Sequence, residues 1–380
     1  MSILHLVGNA YKGFGMLADI ILDDPAAKYI TTGAVDLVVD SEGNYEQVQR
    51  WLAKCKESHA DCPKPRKRLL PTRVVDVGPR DGSQDPKIHV NQGERDYYLV
   101  LSYCWGGPQP ITLTQDTEYE KTQGIGMSAL PRTLHDAVII TRSLGLRYIW
   151  IDALCIIQDS PKDKENELKK MAQIYQHGLL TISAASAKTV HDGFLQERKA
   201  PVMKFSPFIL SYCSPDSTTS EPRNIIVQES HRYDARSEPI NQRAWTLQER
   251  LLSQRVLVYS TSQLIWQCQT EQLRNGGVAR NFFNPSSERF DAAFFTDKVS
   301  SPQSPISARN LTYNWIDTII DYTHCSLTFG DDKLIAIAGI ASEFQRLRAG
   351  DTYLAGMWRS TLIMELMWMV EPSREVRALH

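Results

Sequence analysis

Three apolar runs separated by two amphipathic stretches constrain this chain more than any other feature. "YYLVLSYCW" (97–105), "RYIWID" (147–152) and "LLTISAAS" (179–186) are β-branched and aromatic, and each has strand length. Between the first two lies "LPRTLHDAVIITRSLG", which opens on Pro131, stops at Gly145 and puts Leu134, Ala137, Val138, Thr141 and Leu144 on one helical face. Between the second and third lies "SPKDKENELKKMAQIYQHG". It begins with a capping-box-like Ser160, Pro161 and Asp163, aligns Leu168, Met171, Ala172 and Tyr175, and ends at Gly178. A β-α-β-α-β order requires parallel strands and right-handed crossovers. The carboxyl ends of the strands then share one edge, where open α/β sheets bind ligands. That edge collects Ser102, Tyr103, Cys104 and Trp105 after the first strand and Asp152 after the second, with Gln158 and Asp159 on the loop beyond.

The flanks are simpler. "YEQVQRWLAKCKESHADC" reads as a helix with Val48, Trp51, Leu52, Cys55 and His59 on one side, within a mostly helical stretch over 1–65. "TRVVDV" is a short strand, "NQRAWTLQERLLSQ" a short helix, and "RVLVYS" with "QLIWQC" a hairpin turning at Ser260–Ser262. Residues 213–240 read as a long insertion of loop composition, and "WIDTIIDYTHCSL" and "DKLIAIAGIASEFQRLR" as closing helices. The expected fold is α/β: a mostly parallel, flavodoxin-like central sheet flanked by helices, with a β-hairpin and helical N- and C-terminal extensions. The expected division is a helical extension over 1–70, an α/β core over 71–275 and a mainly helical section over 276–380, integrated into one unit.

Composition excludes some functions. The net charge of −2 gives no electrostatic drive toward nucleic acid. No apolar run is long enough to span a membrane, and the first residues lack a secretory signal. Seven cysteines, an odd number without a dense framework, point to free thiols in a reducing compartment, so the expected location is cytoplasmic. There is no phosphate-cradling glycine loop, no Ser-centred nucleophile elbow and no H-E-x-x-H.

Two acids stand out. Asp152 ends a buried strand, where a carboxylate must be partnered or used; its plain alternatives are capping the next loop or pairing with Arg243. Glu249, in "RAWTLQER", can stabilise an oxocarbenium-like state if its helix lies over the sheet edge; its plain alternative is a salt bridge with Arg250 or Arg243. Arg243, Trp245 and Gln248 of the same segment are ligand-binding candidates. Cys104 and Cys155 are candidate nucleophiles, with His135, His177 and His191 as bases near them in sequence and a buried structural thiol as the alternative. Cys55, His59 and Cys62 form C-x3-H-x2-C, a weak zinc signal for which His324 and Cys325 are candidate fourth ligands. A helix packing two thiols and a histidine into the core needs no metal, and none is assigned.

The segments "YLVLSYCWG", "LPRTLHDAVIITRSLGLRYIWIDALCIIQDSPKDKENELKKMAQIYQHG", "GFLQER" and "RAWTLQERLLSQRVLVYSTSQLIWQC" together resemble the fungal heterokaryon-incompatibility (HET) domain family, in order and in spacing. The likeness extends over most of residues 45–357. It implies a role in fungal non-self recognition with programmed cell death as output. It also implies a core related to Toll/interleukin-receptor (TIR) domains, some of which cleave NAD+ with a catalytic glutamate. NAD+ is then a candidate substrate, and no cofactor is required. HET-like proteins also occur beside fungal secondary-metabolite genes. A biosynthetic enzyme with a polyketide- or terpenoid-like ligand against Trp105, Trp150, Trp245 and Tyr103 is therefore an alternative. A non-enzymatic death-signalling module is another. No recognition module is evident in the chain, so a separate sensor protein or self-association is the expected trigger.

Overall fold

Strands covered by helices on both faces must be apolar at nearly every position, and Tyr98–Ser102, Leu180–Ser183 and Val256–Tyr259 are buried throughout. The computed structural model describes residues 15–19, 36–199, 208–212, 223–230, 235–275, 277–278, 289–295, 308–327 and 330–367. Among these, one sheet of nine strands forms the centre. Its strands are β1 (Arg73–Asp76), β2 (Lys87–Val90), β3 (Tyr98–Ser102), β4 (Tyr148–Trp150), β5 (Leu180–Ser183), β6 (Val256–Tyr259), β7 (Leu264–Gln267), β8 (Gln272–Arg274) and β9 (Gly277–Val278). They lie in the order β9-β8-β7-β6-β5-β3-β4-β1-β2. The inner four, β4, β3, β5 and β6, are mutually parallel, and antiparallel strands extend the sheet on both sides. The parallel core and the β6–β7 hairpin are as the sequence implies.

The helices that bear on the site and the core are α1 (Glu42–Ser58), α2 (Arg132–Ser143), α3 (Asp152–Cys155), α4 (Pro161–His177), α5 (Ala244–Leu252), α6 (Ala308–Thr323) and α7 (Ile335–Leu347). At the start of α4 the Asp163 N–H donates to the Ser160 hydroxyl at 3.3 Å, with Pro161 in the first turn where a missing N–H costs nothing. The buried stripe of α4 is Glu167, Met171, Ile174 and Tyr175, while Leu168, expected on it, is exposed. Glu167 takes the inward place because it accepts hydrogen bonds from Thr72 (2.7 Å) and Lys170 (2.9 Å).

Two expectations on the flanks change. Part of the segment read as an insertion is a strand, Arg223–Ser230, paired antiparallel with Gly15–Asp19 and with Phe208–Tyr212. The first of these partners lies in the stretch read as mostly helical. The polar stretch 214–222, Cys213 and most of 279–307 lie outside the described residues. Residues of both extensions share one buried cluster with the sheet: Trp51 meets Trp266 with ring centroids 6.4 Å apart, and Trp315, Phe344 and Trp358 form an edge-to-face group.

After β3 the chain turns sharply at Gly106, where φ is +68°. A Cβ there would stand 2.5 Å from the Thr189 backbone as well as its side chain. Gly106→Ala should therefore destabilise the fold by about 1–3 kcal/mol, read as a lower urea midpoint with an unchanged slope.

Candidate functional site

The strand order reverses at β3. The chain passes from β3 to β4 on one side and then to β5 on the other, while the loops leaving β3 and β5 stay in contact: the Val190 N–H donates to the Trp105 carbonyl at 3.2 Å. This is the topological switch point at which doubly wound sheets open a crevice. Ser102 and Ser183 pair across it at the carboxyl ends of their strands.

α5 lays Glu249 against this edge. The Ser102 hydroxyl donates to Glu249 Oε2. Tyr175 of α4 lies near the same carboxylate, and its hydroxyl donates to the Leu101 carbonyl at 3.3 Å. Only 8% of Glu249 is exposed. Burial pushes its carboxyl up to about 7: the Ser102 bond works against the rise, the charge of Asp152 adds to it, and Arg243 opposes it. Asp152 opens the single turn α3 directly after β4. Its Oδ2 accepts the Trp105 indole N–H at 2.8 Å and its Oδ1 the Ala153 N–H at 2.7 Å. Burial raises this carboxyl too, outweighing those two bonds, a Tyr103 hydroxyl and the Arg243 charge.

Arg243 precedes α5, and its Nη1 donates to the Tyr103 carbonyl at 2.7 Å. Neither Asp152 nor Glu249 lies within ion-pair distance of it. Its charge nevertheless acts on Asp152, Glu249, Tyr103 and Cys104, which places all five groups around one spot. Asp152, Trp105 and Arg243 keep part of their surface open, while Glu249 is buried. Two acids with raised carboxyls, a cation with donors to spare, several hydroxyls and an indole can hold a polyol or phosphate ester and stabilise a developing positive charge. Two shallow clefts, one of about 240 Å³ beside Lys64, Arg66 and His177 and one of about 390 Å³ beside Arg289 and Asp317, are lined by other residues.

Residues 98–249 match the family model described as Heterokaryon incompatibility protein (HET). That segment is similar to the HET family. The match begins on the first residue of β3 and ends on Glu249, so it encloses the switch point and both acids. Neither a search of curated proteins nor a search of solved structures found a match.

Within the matched segment, Ser102, Tyr103, Cys104, Trp105, Asp152, Arg243 and Glu249 come together as the sequence implies. Neither acid is salt-bridged to Arg243, and Arg250 faces Asp321 instead. Other candidates fall elsewhere. Cys155 is wholly buried, its sulfur accepts the Ile151 N–H at 3.5 Å, and burial pushes its thiol up to about 12. A raised, buried thiol is mostly protonated and so a weaker nucleophile than an exposed one. Gln248 turns away from the edge: its Oε1 accepts the Gly339 N–H at 2.9 Å, locking α5 to α7. Trp245 reaches toward Asp332. Gln158 ties down the loop by donating to the Asp152 and Ile156 carbonyls, and the exposed Asp159 accepts the Gln115 N–H. Trp150 is fully buried, so the aromatic wall expected of Trp105, Trp150, Trp245 and Tyr103 is not assembled.

Tyr175 is the site residue that sequence reasoning counted only as core. A buried tyrosine hydroxyl needs a partner, and that requirement was the available signal. Cys55, His59 and Cys62 do converge, but their fourth neighbour is Cys268. His324 is exposed and bonds the Ile320 carbonyl, and the Cys325 sulfur reaches the Asp321 carbonyl. No described helix is long and apolar enough to cross a membrane.

Proposed function

We propose that this protein acts in heterokaryon incompatibility as a nucleotide-cleaving effector, hydrolysing the nicotinamide–ribose bond of NAD+ or a related N-riboside at the switch point, with cell death as the downstream result. The observation that carries this reading is the Glu249 carboxyl, pushed up to about 7 by burial and held by Ser102 near an arginine with unused donors. Arg243 would hold a phosphate of the substrate. The Trp105 ring, fixed by its bond to Asp152, would bound the base. As the C1′–N bond breaks, its electron pair leaves with nicotinamide, and the ionised Glu249 stabilises the ribosyl cation. Water then adds at C1′ and gives its proton to Glu249, which releases it to solvent. Self-association or a sensor protein would trigger the reaction by opening the edge at Glu249.

The test is incubation of purified protein with NAD+, at high concentration and with self-association enforced by a fused oligomeriser, following nicotinamide release by chromatography. Release that requires Arg243, lost in Arg243→Met with the fold intact by circular dichroism, supports the reading. No release under enforced association overturns it, and the polar cluster is then part of a signalling module rather than a catalyst.

A further inference from the structure

Cys55, His59, Cys62 and Cys268 place their sulfur and ring-nitrogen atoms within 4.8 Å of one another, and all four residues are buried. Cys55 lies in the last turns of α1, His59 is the residue that ends it, and Cys62 follows on the loop. Cys268 comes from the far side of the sequence, immediately after β7. All three thiols are free. His59 Nδ1 is 3.6 Å from the Cys62 sulfur and 3.4 Å from the Cys268 sulfur. With Zn–S near 2.3 Å and Zn–N near 2.0–2.1 Å, a tetrahedral zinc site separates its ligand atoms by about 3.5–3.8 Å.

The surroundings match as well as the four atoms do. The other ring nitrogen of His59, Nε2, is 3.0 Å from Glu271 Oε1, and Lys54 holds the second Glu271 oxygen at 2.8 Å. A carboxylate on Nε2 keeps the proton there and leaves Nδ1 with a lone pair toward the sulfurs, the tautomer a metal-bound histidine uses. The buried Arg255 donates through Nε to the Cys55 sulfur at 3.2 Å, and the Thr270 hydroxyl is 3.4 Å from the Cys62 sulfur. A zinc ion with three thiolates and a neutral imidazole carries one negative charge, which a buried guanidinium offsets. Three neutral thiols would give that guanidinium no such partner.

We infer that Cys55, His59, Cys62 and Cys268 form a structural zinc site that fastens the C-terminal end of α1 to the end of β7. Four protein ligands leave no open position, and a soft set of three thiolates and one imidazole selects zinc over hard cations. The site is built from two pieces of chain separated by about two hundred residues (209 between His59 and Cys268). It closes next to the Trp51–Trp266 contact, so metal and aromatic packing fasten the same seam. It is independent of the acids at the sheet edge, and its test does not read NAD+ cleavage.

The experiment uses the whole chain, expressed with zinc and purified without chelator. Expected are one zinc per chain by elemental mass spectrometry, its release on titration with a mercurial, and a lower melting temperature in chelator. Replacement by cobalt(II) should give the visible bands of a tetrahedral thiolate site. His59→Cys should keep one zinc, whereas Cys62→Ser with Cys268→Ser should lose it. A folded wild-type protein free of zinc overturns the inference. So does a disulfide among these cysteines, found by mass spectrometry after alkylation without reduction, or full zinc retention in the double variant. If the double variant does not fold, the zinc content and cobalt spectrum of the wild type decide the matter alone.

Discussion

Glu249→Gln should stabilise the protein at pH 8 while removing its activity. A carboxyl carried from 4.5 to about 7 in the folded state disfavours its ionised form by about 3 kcal/mol. The native state therefore binds this proton more tightly than the unfolded chain. The resulting stability is fully present below pH 4.5, is lost as pH rises through about 7, and does not return above it. Glutamine has the same shape and no charge, so the variant lacks that decline. Its unfolding free energy should exceed that of the wild type by about 2–3 kcal/mol at pH 8, and the two should converge toward pH 4.5. The check is urea unfolding of both proteins at several pH values between these limits. The proposed NAD+ hydrolysis, which would need the ionised acid, should rise through about pH 7 in the wild type and fall by about 10²–10⁴ in the variant. A variant that gains stability and keeps its activity would leave the acid buried for some other purpose than this chemistry.

Arg73→Leu should be among the most damaging single changes outside the aromatic core. Arg73 is buried on β1. It grips Asp163 through both terminal nitrogens at 3.2 and 2.6 Å, donates to the Cys155 carbonyl at 3.0 Å, and reaches Glu118 through Nε at 3.1 Å. Although burial pushes the Asp163 carboxyl up, its bonds from Arg73 and from the Ile157 N–H hold it below the usual carboxylate range. Leucine fills the volume but strands a carboxylate and a carbonyl, at a cost of about 3–5 kcal/mol. Thermal melts should show the loss. Asp163→Asn added to Arg73→Leu should recover part of it, because the stranded charge is gone. The same group anchors the loop that follows Asp152, so the single variant should also blunt activity at temperatures where it remains folded.

The inner sheet was legible because its physics is local. Pro131, Gly145, Ser160 and Gly178 mark helix ends, and three apolar runs between them leave little choice but parallel strands. The carboxyl edge followed from that topology, and with it Ser102, Trp105 and Asp152. What the sequence hid depended on pairings with no local signature. Arg73, Asp163 and Glu118 are ordinary charges in a sequence, and only the fold brings them into one network. Gln248 adjoins Glu249 and shares its helix, yet it projects to α7, a difference that a count along "RAWTLQER" does not resolve without knowing what covers the other face. Leu168 and Glu167 exchanged places for the same reason: the neighbours of Glu167, Thr72 and Lys170, made a buried carboxylate acceptable. Cys268 could not be paired with Cys55 and His59 from spacing, because it arrives from a hairpin more than two hundred residues away.

The switch-point site draws Ser102 and Trp105 from one segment, Asp152 from a second, Tyr175 from a third, and Arg243 and Glu249 from a fourth, and the Ser102–Glu249 bond closes a span of 147 residues. A chain emerging from the ribosome can complete its first helices and pair β3 with β4 long before α5 exists. Glu249 is the last of these groups to be synthesised, and it can dock only once β5 lies beside β3. Throughout synthesis, and in any fragment cut before α5, the groups proposed for catalysis are therefore separated. The order of translation therefore keeps the groups proposed for catalysis apart until α5 has been made.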